Sequence, residues 1–448
     1  MLRAMPKRFK YQSQHILVIV RTKINKIWFW FMKKRKIFGE LLEERKNSKV
    51  TIVLGSRQVG KTTVLKGVYE RLPENNRLFL DLDVLENFEK VSSYSNLVNT
   101  LKLEGYEQNQ KEIFYLFLDE FQRYDDLSLV MKNVYDNHKN IKIYASGSSS
   151  LKIREQIQES LAGRKHICHL YPLDFEEFLW FKEDKGAINQ LKNSSKLSGE
   201  NLGAGLLKSY LEEFLVFGGY PEVALASKRE KKVNVLKSIF DLYAKKELVG
   251  YLKFGKIVGV KKLMEFLAIN NGQKIKCEEA AYRCSLKQYQ VKEYLEILKE
   301  TFLITPIRPF FTNKNKELVK IPKIYFLDNG VRNFFINNFN GVKLRSDSGF
   351  LFEGFVLQEL IKSGFGNIKF WQDKQKHEVD FVADQISKQT PIEIKFKEKL
   401  KQSDFIGLNV FMANYNPKKA YLINTGVQKS KGKIRIKLPF NLNKNLAP

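Results

Sequence analysis

The chain has 448 residues, 43% of them hydrophobic and 13% aromatic, which excludes a disordered chain and is too long for one ordinary core. Its formal net charge of +28 indicates a polyanionic partner, either nucleic acid or an anionic membrane surface, unless it reflects only a genome that favours Lys. Cys168, Cys277 and Cys284 form no CxxC pair and no plausible disulfide set, which predicts a reducing, cytoplasmic location.

The first segment of the chain is strongly basic, because residues 1–50 contain 14 Lys and Arg against 3 Glu. It has no clean apolar stretch and no small-residue cleavage site, so it is not a secretory signal. Arg21, Lys23 and Lys26 interrupt its apolar run, which argues against a membrane span. The helical spacing of its apolar residues predicts an amphipathic helix. Its apolar stripe either packs on the next domain or lies on a membrane surface or partner.

The strongest motif starts with an apolar run, Val50 to Leu54, which predicts a buried parallel strand. The segment GSRQVGKT then matches G-x-x-x-x-G-K-[ST] in full and leads into a predicted helix. Its backbone N–H groups are expected to wrap a phosphate, with Lys61 reaching the β- and γ-phosphates and Thr62 holding Mg²⁺. The predicted ATP-binding residues of this loop are Gly55, Ser56, Arg57, Gln58, Val59, Gly60, Lys61, Thr62 and Thr63.

A second motif, IFYLFLDE, is an apolar strand that ends in two acids. Asp119 is predicted to complete the nucleotide and Mg²⁺ site, and Glu120 to orient and polarise the attacking water. RLFLDLD and IKIYASGSSS follow helical stretches, as a parallel βαβ sheet requires. Ser146 and Ser148 end the latter strand, either as polar sensors of the γ-phosphate or as turn-formers.

Arg164 precedes a further apolar strand in LAGRKHICHLYP. It is either an arginine finger that stabilises the transferring phosphate, in cis or from a neighbouring subunit, or an ordinary surface arginine.

Taken in order, GSRQVGKTT, LFLDEFQ, SGSSS, LAGR and YPLDFEEF resemble the motifs of a large group of prokaryotic AAA-type ATPases. In that group the ATPase is followed by a C-terminal domain of unknown function that is similar to PD-(D/E)xK nucleases. FGGYPEV, IPKIYFLDNGV, FEGFVLQEL and EVDFV extend the resemblance, which covers roughly residues 37–425. The resemblance implies ATP-dependent chemistry more than a biological process.

The middle of the chain predicts an exposed loop followed by a helical region. Residues 185–205 are rich in Gly, Ser, Asn and Lys, which indicates a linker. Between residues 259 and 325, three helical stretches precede two apolar strands around a basic loop, the order of a winged helix, with Ser285 as the predicted N-cap of the third helix. This domain either binds DNA or is only a protein interface. The predicted DNA contacts are Lys287, Gln288, Gln290, Lys292, Lys314, Lys316 and Lys320.

The C-terminal segment reads as helix, three short strands, helix and strand, which is the core order of the PD-(D/E)xK fold. In the strand PIEIKFK, alternation puts three apolar side chains on one face and Glu393 and Lys395 on the other. Asp380 is predicted to lie on the face opposite Val379 and Phe381, beside Glu393 on the adjacent strand.

Two neighbouring carboxylates repel each other unless a cation lies between them, so Asp380 and Glu393 predict a second divalent metal site. Glu353 is a further candidate acid, and Glu359 a weaker one. Lys395 is expected to steer the attacking water or to stabilise charge developing on a phosphate. A valine replaces the proline of the motif, a departure that such folds tolerate. The domain either cleaves or keeps only a binding role.

The predicted fold class is α/β, with a P-loop parallel-sheet ATPase, a helical lid, a winged helix and a C-terminal α/β PD-(D/E)xK-like domain. The predicted domains are a basic N-terminal helix at 1–46, the AAA-type ATPase at 47–184, a linker and lid at 185–258, the winged helix at 259–325 and the nuclease-like domain at 326–448.

The predicted function is hydrolysis of ATP with Mg²⁺ by a protein that acts on DNA, with a metal-dependent nuclease centre at the C-terminus. The alternative is a nucleotide-gated switch or scaffold whose tail binds a partner without cleaving it. DNA is the main predicted partner. A membrane surface, contacted through Trp28 to Phe31, and a second copy of the chain are the others.

Overall fold

The fold is built on two β-sheets that helices cover and connect. The computed structural model of the chain describes residues 33–148, 159–194, 204–243, 257–385 and 388–442. Most of the predicted N-terminal helix, including Trp28 to Phe31, lies outside the described residues. Its role therefore stays a prediction.

The first sheet is parallel throughout and has the strand order β2-β3-β4-β1-β5. Its strands are β1 (Val50–Leu54), β2 (Arg77–Asp81), β3 (Phe114–Asp119), β4 (Ile141–Gly147) and β5 (Lys165–His169). Strands β1, β3 and β4 are buried along their whole length, as expected for central strands with helices on both faces. The α/β fold with a parallel ATPase-type sheet is confirmed.

The second sheet mixes parallel and antiparallel pairs in the order β13-β14-β12-β11-β10-β9-β7-β8-β6. Its strands are β6 (Gln273–Lys274), β7 (Ile304–Pro309), β8 (Lys323–Phe326), β9 (Ile368–Gln372), β10 (Glu378–Gln385), β11 (Lys388–Lys395), β12 (Ala420–Asn424), β13 (Lys429–Lys431) and β14 (Ile434–Lys437). The ribbon β7–β8 joins the C-terminal strands because β7 pairs in parallel with β9.

The helices of the first half surround the five-stranded sheet and continue beyond it. They are α1 (Ile37–Glu43), α2 (Lys61–Tyr69), α3 (Glu86–Val91), α4 (Tyr94–Leu103), α5 (Leu127–Asn137), α6 (Phe175–Lys182), α7 (Lys185–Lys192), α8 (Ala204–Phe217), α9 (Pro221–Leu225) and α10 (Arg229–Tyr243). Asp174 caps α6 with a reciprocal capping box to Glu177, so the turn after YPLD starts that helix at a defined residue.

The helices of the second half flank the nine-stranded sheet. They are α11 (Ile257–Ile269), α12 (Cys277–Cys284), α13 (Gln288–Glu300), α14 (Lys314–Val319), α15 (Asn329–Phe335), α16 (Ser348–Lys362) and α17 (Ile406–Tyr415). The C-terminal order is α16, β9, β10, β11, α17 and β12, which is the element order predicted from the sequence.

One apolar core continues from the first sheet into the second. Phe175 on α6 contacts Phe214 on α8 and Phe355 on α16, with ring centroids 5.8 Å and 6.1 Å away. All three rings belong to a buried cluster that also contains Val53 of β1 and Ile394 of β11. Such aromatic contacts hold the two halves in one arrangement.

Three local expectations differ from the structure. The predicted linker at 185–205 starts as helix α7, since Asp184 accepts a hydrogen bond from the N–H of Ala187 and caps it. Ser285 is not an N-cap: its φ of 56° is left-handed and it ends α12, while Lys287 precedes α13. The basic loop of the ribbon contains helix α14 instead of open loop.

The alternation predicted around Asp380 is also wrong in part. The pairing of β10 with β9 shifts register between Val379 and Val382. Consequently Val379 packs in the cluster around Phe405, whereas Phe381 packs in the large core cluster. An irregular strand of this kind breaks the simple two-residue period.

Candidate functional site

The predicted phosphate-binding loop connects β1 to α2. Gly60 has φ +96°, a left-handed conformation that favours glycine, and is the N-cap residue immediately before Lys61, the first residue of α2. A Cβ at Gly55 would lie 2.1 Å from the carbonyl oxygen of Leu170, so only glycine fits where the loop passes β5. Both motif positions therefore favour glycine for steric reasons, Gly60 because of its backbone conformation and Gly55 because of its contact with Leu170.

Lys61 is buried at the start of α2, with 5% of its surface exposed. Its Nζ donates to the carbonyl oxygens of Gly55 and Ser56, both at 3.0 Å. The ammonium thus lies over the concave side of its own loop.

Asp119 lies at the end of β3, facing the first residues of α2. The Ser146 hydroxyl donates to Asp119 Oδ1, and Thr62 also hydrogen-bonds the carboxyl group. Burial raises the pKa of Asp119, while the hydrogen bonds from Ser146 and Thr62 act against that rise. Three segments that are distant in the sequence therefore converge on one carboxyl group.

Glu120 follows with a left-handed φ of 56°. The Gln122 amide donates to Glu120 Oε2, and the Glu120 N–H lies 3.4 Å from Ser146 Oγ. Ser148 is buried just after β4, with 4% exposure. The residues proposed for water and phosphate chemistry, Glu120 and Ser148, thus flank the same strand ends as Asp119.

Arg164 lies at the other edge of the sheet. It precedes β5, and its carbonyl accepts from the N–H of Val50, the first residue of β1. Strands of about five residues span about 17 Å, so the loop at the far end of β1 is out of its reach in cis. Its Nε donates to Asp136 Oδ1 at 2.7 Å instead. The finger role in cis is wrong, and the finger role in trans and an ordinary surface arginine both stay open.

Sequence reasoning missed Arg35, a buried arginine beside the loop. Its Nη1 donates to the Val59 carbonyl at 2.7 Å, its Nη2 to the Tyr171 carbonyl at 2.8 Å, and its Nε to Glu177 Oε1 at 3.1 Å. Within the run KKRK this residue resembled any other basic side chain. The loop is thus held by a charge from outside the motif.

The segment FGGYP also contacts the loop, a role that sequence reasoning did not assign. Buried Tyr220 donates its hydroxyl to Ser56 Oγ at 3.2 Å. The Gly219 N–H donates to Asp328 Oδ2 at 2.7 Å, and Asp328 also caps α15 by accepting from Val331. The motif LDNG is therefore linked to the loop through FGGYP.

A second group of acids lies in the C-terminal sheet. Phe381 pairs with Ile392, which puts Asp380 directly beside Glu393 on the neighbouring strand. Asp380 Oδ2 accepts from the N–H of Ile394 at 2.7 Å. Glu353, on α16, is near enough for the charge of Asp380 to raise its pKa, and the charges of Asp380 and Glu353 both raise the pKa of Glu393. The structure thus brings together all three acids that the sequence proposed as metal ligands.

Burial is the main influence on these acids. It raises the pKa of Glu353 to about 7, with help from Asp380 and against Lys323. Burial and Asp380 likewise raise the pKa of Glu393 well above its usual value, against Lys395. The pKa of Asp380 is also raised by burial, with Lys395 and Lys323 opposing. One side-chain oxygen, Glu393 Oε2, is buried without a hydrogen-bond partner.

Two lysines and a tyrosine complete this second group. Lys395 Nζ lies 2.5 Å from Glu393 Oε1, and although burial acts to lower the pKa of Lys395, Asp380 and Glu393 raise it to about 12. Lys323 pairs with Glu378 and lies 3.8 Å from Glu353, which also accepts from the Tyr325 hydroxyl. Lys323 and Tyr325 were not proposed from the sequence, because IPKIYFL reads only as a strand.

Glu359 lies elsewhere. Its Oε1 accepts from the N–H of Phe175 at 3.1 Å, so this acid belongs to the contact between α16 and the start of α6. Burial, followed by the charge of Asp174, raises the pKa of Glu359 to about 8. Glu359 is therefore not part of the second group.

The predicted DNA contacts are surface residues with different surroundings. Lys287, Gln288 and Lys292 are exposed at the start of α13, while the Gln290 side chain accepts from the Lys287 N–H at 2.9 Å. Lys316 and Lys320 are exposed as well. Lys314 is exposed too, but it pairs with Asp384 at 3.0 Å and with Glu317 at 3.3 Å. Its charge is therefore already partly neutralised.

No helix within the described ranges has the length and hydropathy needed to cross a bilayer.

Comparisons with known families match three parts of the chain. Residues 47–179 match the family model of an AAA domain. Residues 208–341 and 348–441 each match a domain of unknown function, DUF8612 and DUF4143. With the parallel sheet and the loop after β1, the first match shows that residues 47–179 form a P-loop ATPase-like domain. The two later matches assign no activity to these regions.

Similar proteins are distant and give no function. The uncharacterized protein MJ1544 of Methanocaldococcus jannaschii is 27% identical over 362 residues, 78% of this chain and 76% of that protein. An uncharacterized protein of Haemophilus influenzae is 22% identical over an alignment that covers 82% of this chain and 87% of that protein. A Walker-type ATPase of Pyrococcus abyssi covers 68% of this chain and 96% of its own, at 16% identity and a TM-score of 0.44.

Proposed function

We propose that this chain, whose residues 47–179 form a P-loop ATPase-like domain, is a Mg²⁺-dependent ATPase that acts on DNA. Its C-terminal sheet would then carry a second, metal-dependent centre for phosphodiester cleavage. The ATPase part is supported above all by the meeting of Lys61, Thr62 and Asp119 at one edge of the parallel sheet.

In this proposal the loop binds the triphosphate. Backbone N–H groups from Gly55 to Thr63 cradle phosphate oxygens at the N-terminus of α2. Lys61 exchanges its two loop carbonyls for β- and γ-phosphate oxygens, a stronger, charge-assisted contact. Arg35 keeps the Val59 carbonyl turned away from the phosphates.

The residues at the edge of β3 fit a Mg²⁺ ion. Asp119 is a buried carboxylate held by hydroxyl groups, and carboxylate and hydroxyl oxygens are hard ligands of the kind Mg²⁺ prefers. Asp119 and Thr62 would hold the ion, which, when bound, neutralises charge on the transferring phosphate. Glu120, steadied by Gln122, orients the attacking water and accepts its proton, and Ser148 contacts the γ-phosphate.

Lys61→Ala tests the ATPase proposal, with Lys66→Ala as the matched control on the exposed side of α2. The kcat of the Lys61 variant is expected to fall about 10²–10³-fold, because the ammonium that stabilises the negative charge developing on the transferring phosphate is removed. The Lys66 variant is expected to retain the wild-type kcat. Equal turnover in both variants, with unchanged circular dichroism, would refute the assignment.

The cleavage centre is supported by the repulsion that Asp380 exerts on Glu353 and Glu393, and by an oxygen without a hydrogen-bond partner, Glu393 Oε2. Glu353, Asp380 and Glu393 would hold a second divalent ion, and Lys395 would stabilise charge on the scissile phosphate. Their donor chemistry fits such an ion, although, within the described part of the chain, their oxygens do not all lie within 4.8 Å of one another. Binding would require them to converge.

DNA is the proposed partner because positive charge is concentrated near this sheet. A groove of about 390 Å³ is lined by Arg308, Lys320, Lys299 and Lys369, together with Glu296. Lys299 pairs with Glu296, and Lys369 pairs with Glu317 and Asp384, so the charges of these two lysines are already partly neutralised. Cations in a groove of this kind fit a phosphate backbone.

A nucleotide-gated switch is the second candidate function, favoured by contacts between the two halves. Helix α16 carries Glu353 and also touches the ATPase-like domain, where Lys362 Nζ donates to the Leu173 carbonyl at 2.8 Å. Nucleotide binding that moves the turn at Leu173 would therefore move α16.

A plasmid-cleavage assay with Mg²⁺ or Mn²⁺, with and without ATP, separates the two candidates. Cleavage by the wild type and by Asp373→Ala, but not by Asp380→Ala, supports the nuclease. The absence of cleavage in every nucleotide state, with ATP turnover intact, favours the switch.

Arg164 stands in the proposal as a finger from a neighbouring copy of the chain. Mixing Lys61→Ala with Arg164→Ala chains tests this idea, because a mixed assembly contains sites with both Lys61 and a partner arginine. Recovery of ATP turnover on mixing is expected, and strictly additive rates would contradict it.

A further inference from the structure

A cluster of metal-ligating side chains lies away from both centres, between α1 and the edge strand β5. Glu40 is on α1, and Glu44 begins the 3-10 turn that follows it. His166 and Cys168 are two residues apart on β5, so their side chains leave the same face. In the described ranges, Glu40, His166 and Cys168 offer ligand atoms that all lie within 4.8 Å of one another.

We propose that this cluster binds a divalent transition ion of the Zn²⁺ class through Cys168 Sγ, His166 Nδ1 and carboxylate oxygens of Glu40 and Glu44. Thiolate, imidazole and carboxylate are the ligands that Zn²⁺ takes in proteins. Thiolate and imidazole also select it over Mg²⁺ and Ca²⁺.

The spacing of the atoms fits a tetrahedral site. Zn–S bonds of about 2.3 Å and Zn–N or Zn–O bonds of about 2.0 Å imply ligand separations of about 3.5 Å from sulfur and about 3.3 Å between nitrogen and oxygen. Cys168 Sγ lies 3.5 Å from Glu40 Oε1 and 3.9 Å from His166 Nδ1, and His166 Nδ1 lies 3.0 Å from Glu44 Oε1. Three of the six edges of the tetrahedron are therefore close to these lengths, and binding would bring Glu44 nearer to the group formed by Glu40, His166 and Cys168.

Groups behind the cluster orient Glu44 toward it. Its second oxygen, Oε2, accepts from Thr51 Oγ1 and from Asn47 Nδ2, both at 3.2 Å, with Lys142 Nζ 3.9 Å away. These contacts leave Oε1 directed at His166, as the outer partners of a metal site do. The ammonium of Lys142 also offsets part of the charge that two carboxylates and a thiolate bring together.

The cluster has a path to solvent, because Glu40 is exposed and His166 is half-buried, whereas Cys168 is buried behind them. A bound ion would cross-link α1 to the edge of the sheet. Since Arg35, just before α1, holds the phosphate loop, the cross-link would also anchor the segment from which that arginine projects. The competing explanation is an ordinary His166–Glu44 ion pair beside an inert thiol.

Co²⁺ serves as the probe, titrated into the full chain after chelation and under reducing conditions, without nucleotide. We expect a thiolate-to-cobalt charge-transfer band and tetrahedral d–d bands that saturate at one ion per chain and disappear on adding Zn²⁺. Cys168→Ser is expected to abolish the charge-transfer band. Cys284→Ser, which alters another buried free thiol, is the matched control and is expected to keep it.

A second pair of variants keeps the test decisive if Cys168→Ser does not fold. His166→Gln and Glu40→Gln change partly exposed side chains, and each is expected to weaken Co²⁺ binding at least about tenfold. The absence of a sulfur band in the wild type would overturn the proposal. So would a band that survives in folded Cys168→Ser, or unchanged Co²⁺ affinity in both of the other variants.

Discussion

The phosphate loop and the C-terminal acid group both bury carboxylates, but they balance the cost of burial differently. Asp119 is compensated by hydroxyl groups of Ser146 and Thr62, which donate hydrogen bonds without adding charge. Lys61, the nearby cation, donates hydrogen bonds to the carbonyl oxygens of Gly55 and Ser56. Hydrogen bonds from neutral groups therefore offset part of the cost of burying Asp119.

In the C-terminal sheet the balance is made of full charges. Asp380 raises the pKa of Glu353 and of Glu393, and Glu353 also raises that of Glu393, while Lys323 acts against the rise at Glu353 and Lys395 against the rise at Glu393. Substituting one partner of such a buried ion pair strongly destabilises the fold, because it leaves an uncompensated buried charge. The difference teaches that the first site buries its acid among neutral hydrogen-bond donors, whereas the second depends on the charges of its lysine partners.

The largest expected effect separates chemistry from binding at the loop. Glu120→Gln is expected to lower kcat for ATP hydrolysis about 10²–10⁴-fold, since a general base is lost, while nucleotide affinity stays within a few-fold. Steady-state turnover and calorimetry with a non-hydrolysable analogue measure the two. Glu112→Gln, an exposed acid before β3, is the control. A parallel loss of affinity would show that Glu120 only shapes the site.

The next effect compares lysines at the two sites. Lys323→Met is expected to lower the free energy of unfolding by about 3–5 kcal/mol, because Glu378 and Glu353 lose a buried partner. Lys61→Met removes the donor to the Gly55 and Ser56 carbonyl oxygens and is expected to lower it by about 1–3 kcal/mol. Urea denaturation measures both changes, and exposed Lys320→Met should change little. Partial recovery of Lys323→Met with Mg²⁺ would follow from the missing positive charge. Equal losses at both lysines would remove the contrast.

A pH effect of intermediate size is expected from Glu353. Its pKa is about 7 in the folded chain and near 4.5 in the unfolded one. Between these pH values Glu353 is protonated in the folded state and ionised in the unfolded state. Stability from this group is therefore present at low pH and is lost as pH rises from about 4.5 to about 7. The span corresponds to about 3 kcal/mol.

Glu353→Gln should remove this pH dependence, so its stability relative to the wild type should grow across that interval. Glu359→Gln is the matched comparison, because a different environment raises the pKa of Glu359 to about 8. The stability that Glu359 contributes should therefore be lost over an interval that extends to higher pH. Parallel curves for the wild type and Glu353→Gln would show that Glu353 titrates normally.

The smallest expected effect concerns the link between FGGYP and the loop. Tyr220→Phe removes the hydrogen bond to Ser56 and is expected to weaken ATP binding up to about tenfold, equivalent to about 0.5–1.5 kcal/mol. Tyr210→Phe removes a similar hydrogen bond, to Asp184, away from the loop and serves as the control. Equal ATP affinity in both variants would show that the Tyr220 hydroxyl does not contribute to ATP binding.

Patterns confined to a few neighbouring residues were predictable. The strand Val50–Leu54 has the predicted bounds, and the loop and helix follow it, since a parallel strand and a glycine-bounded turn are encoded locally. The pairing of Asp380 with Glu393 also followed from alternation across neighbouring strands. The irregular step at Val379 did not, because a register shift depends on what packs on each face.

The sequence by itself determined the P-loop, the acidic strand end and the carboxylate-bearing strands, because short-range geometry and two-residue alternation fix them. Only the tertiary structure decided that Arg35 and Tyr220 hold the loop, that Lys323 faces Glu353, and that Arg164 lies at the wrong edge in cis. It also decided that Cys168, isolated in the sequence, lies beside Glu40 and His166. The contacts that hold the loop join residues 24 and 164 positions apart, so they depend on how helices and sheets pack, and no local spacing records that packing.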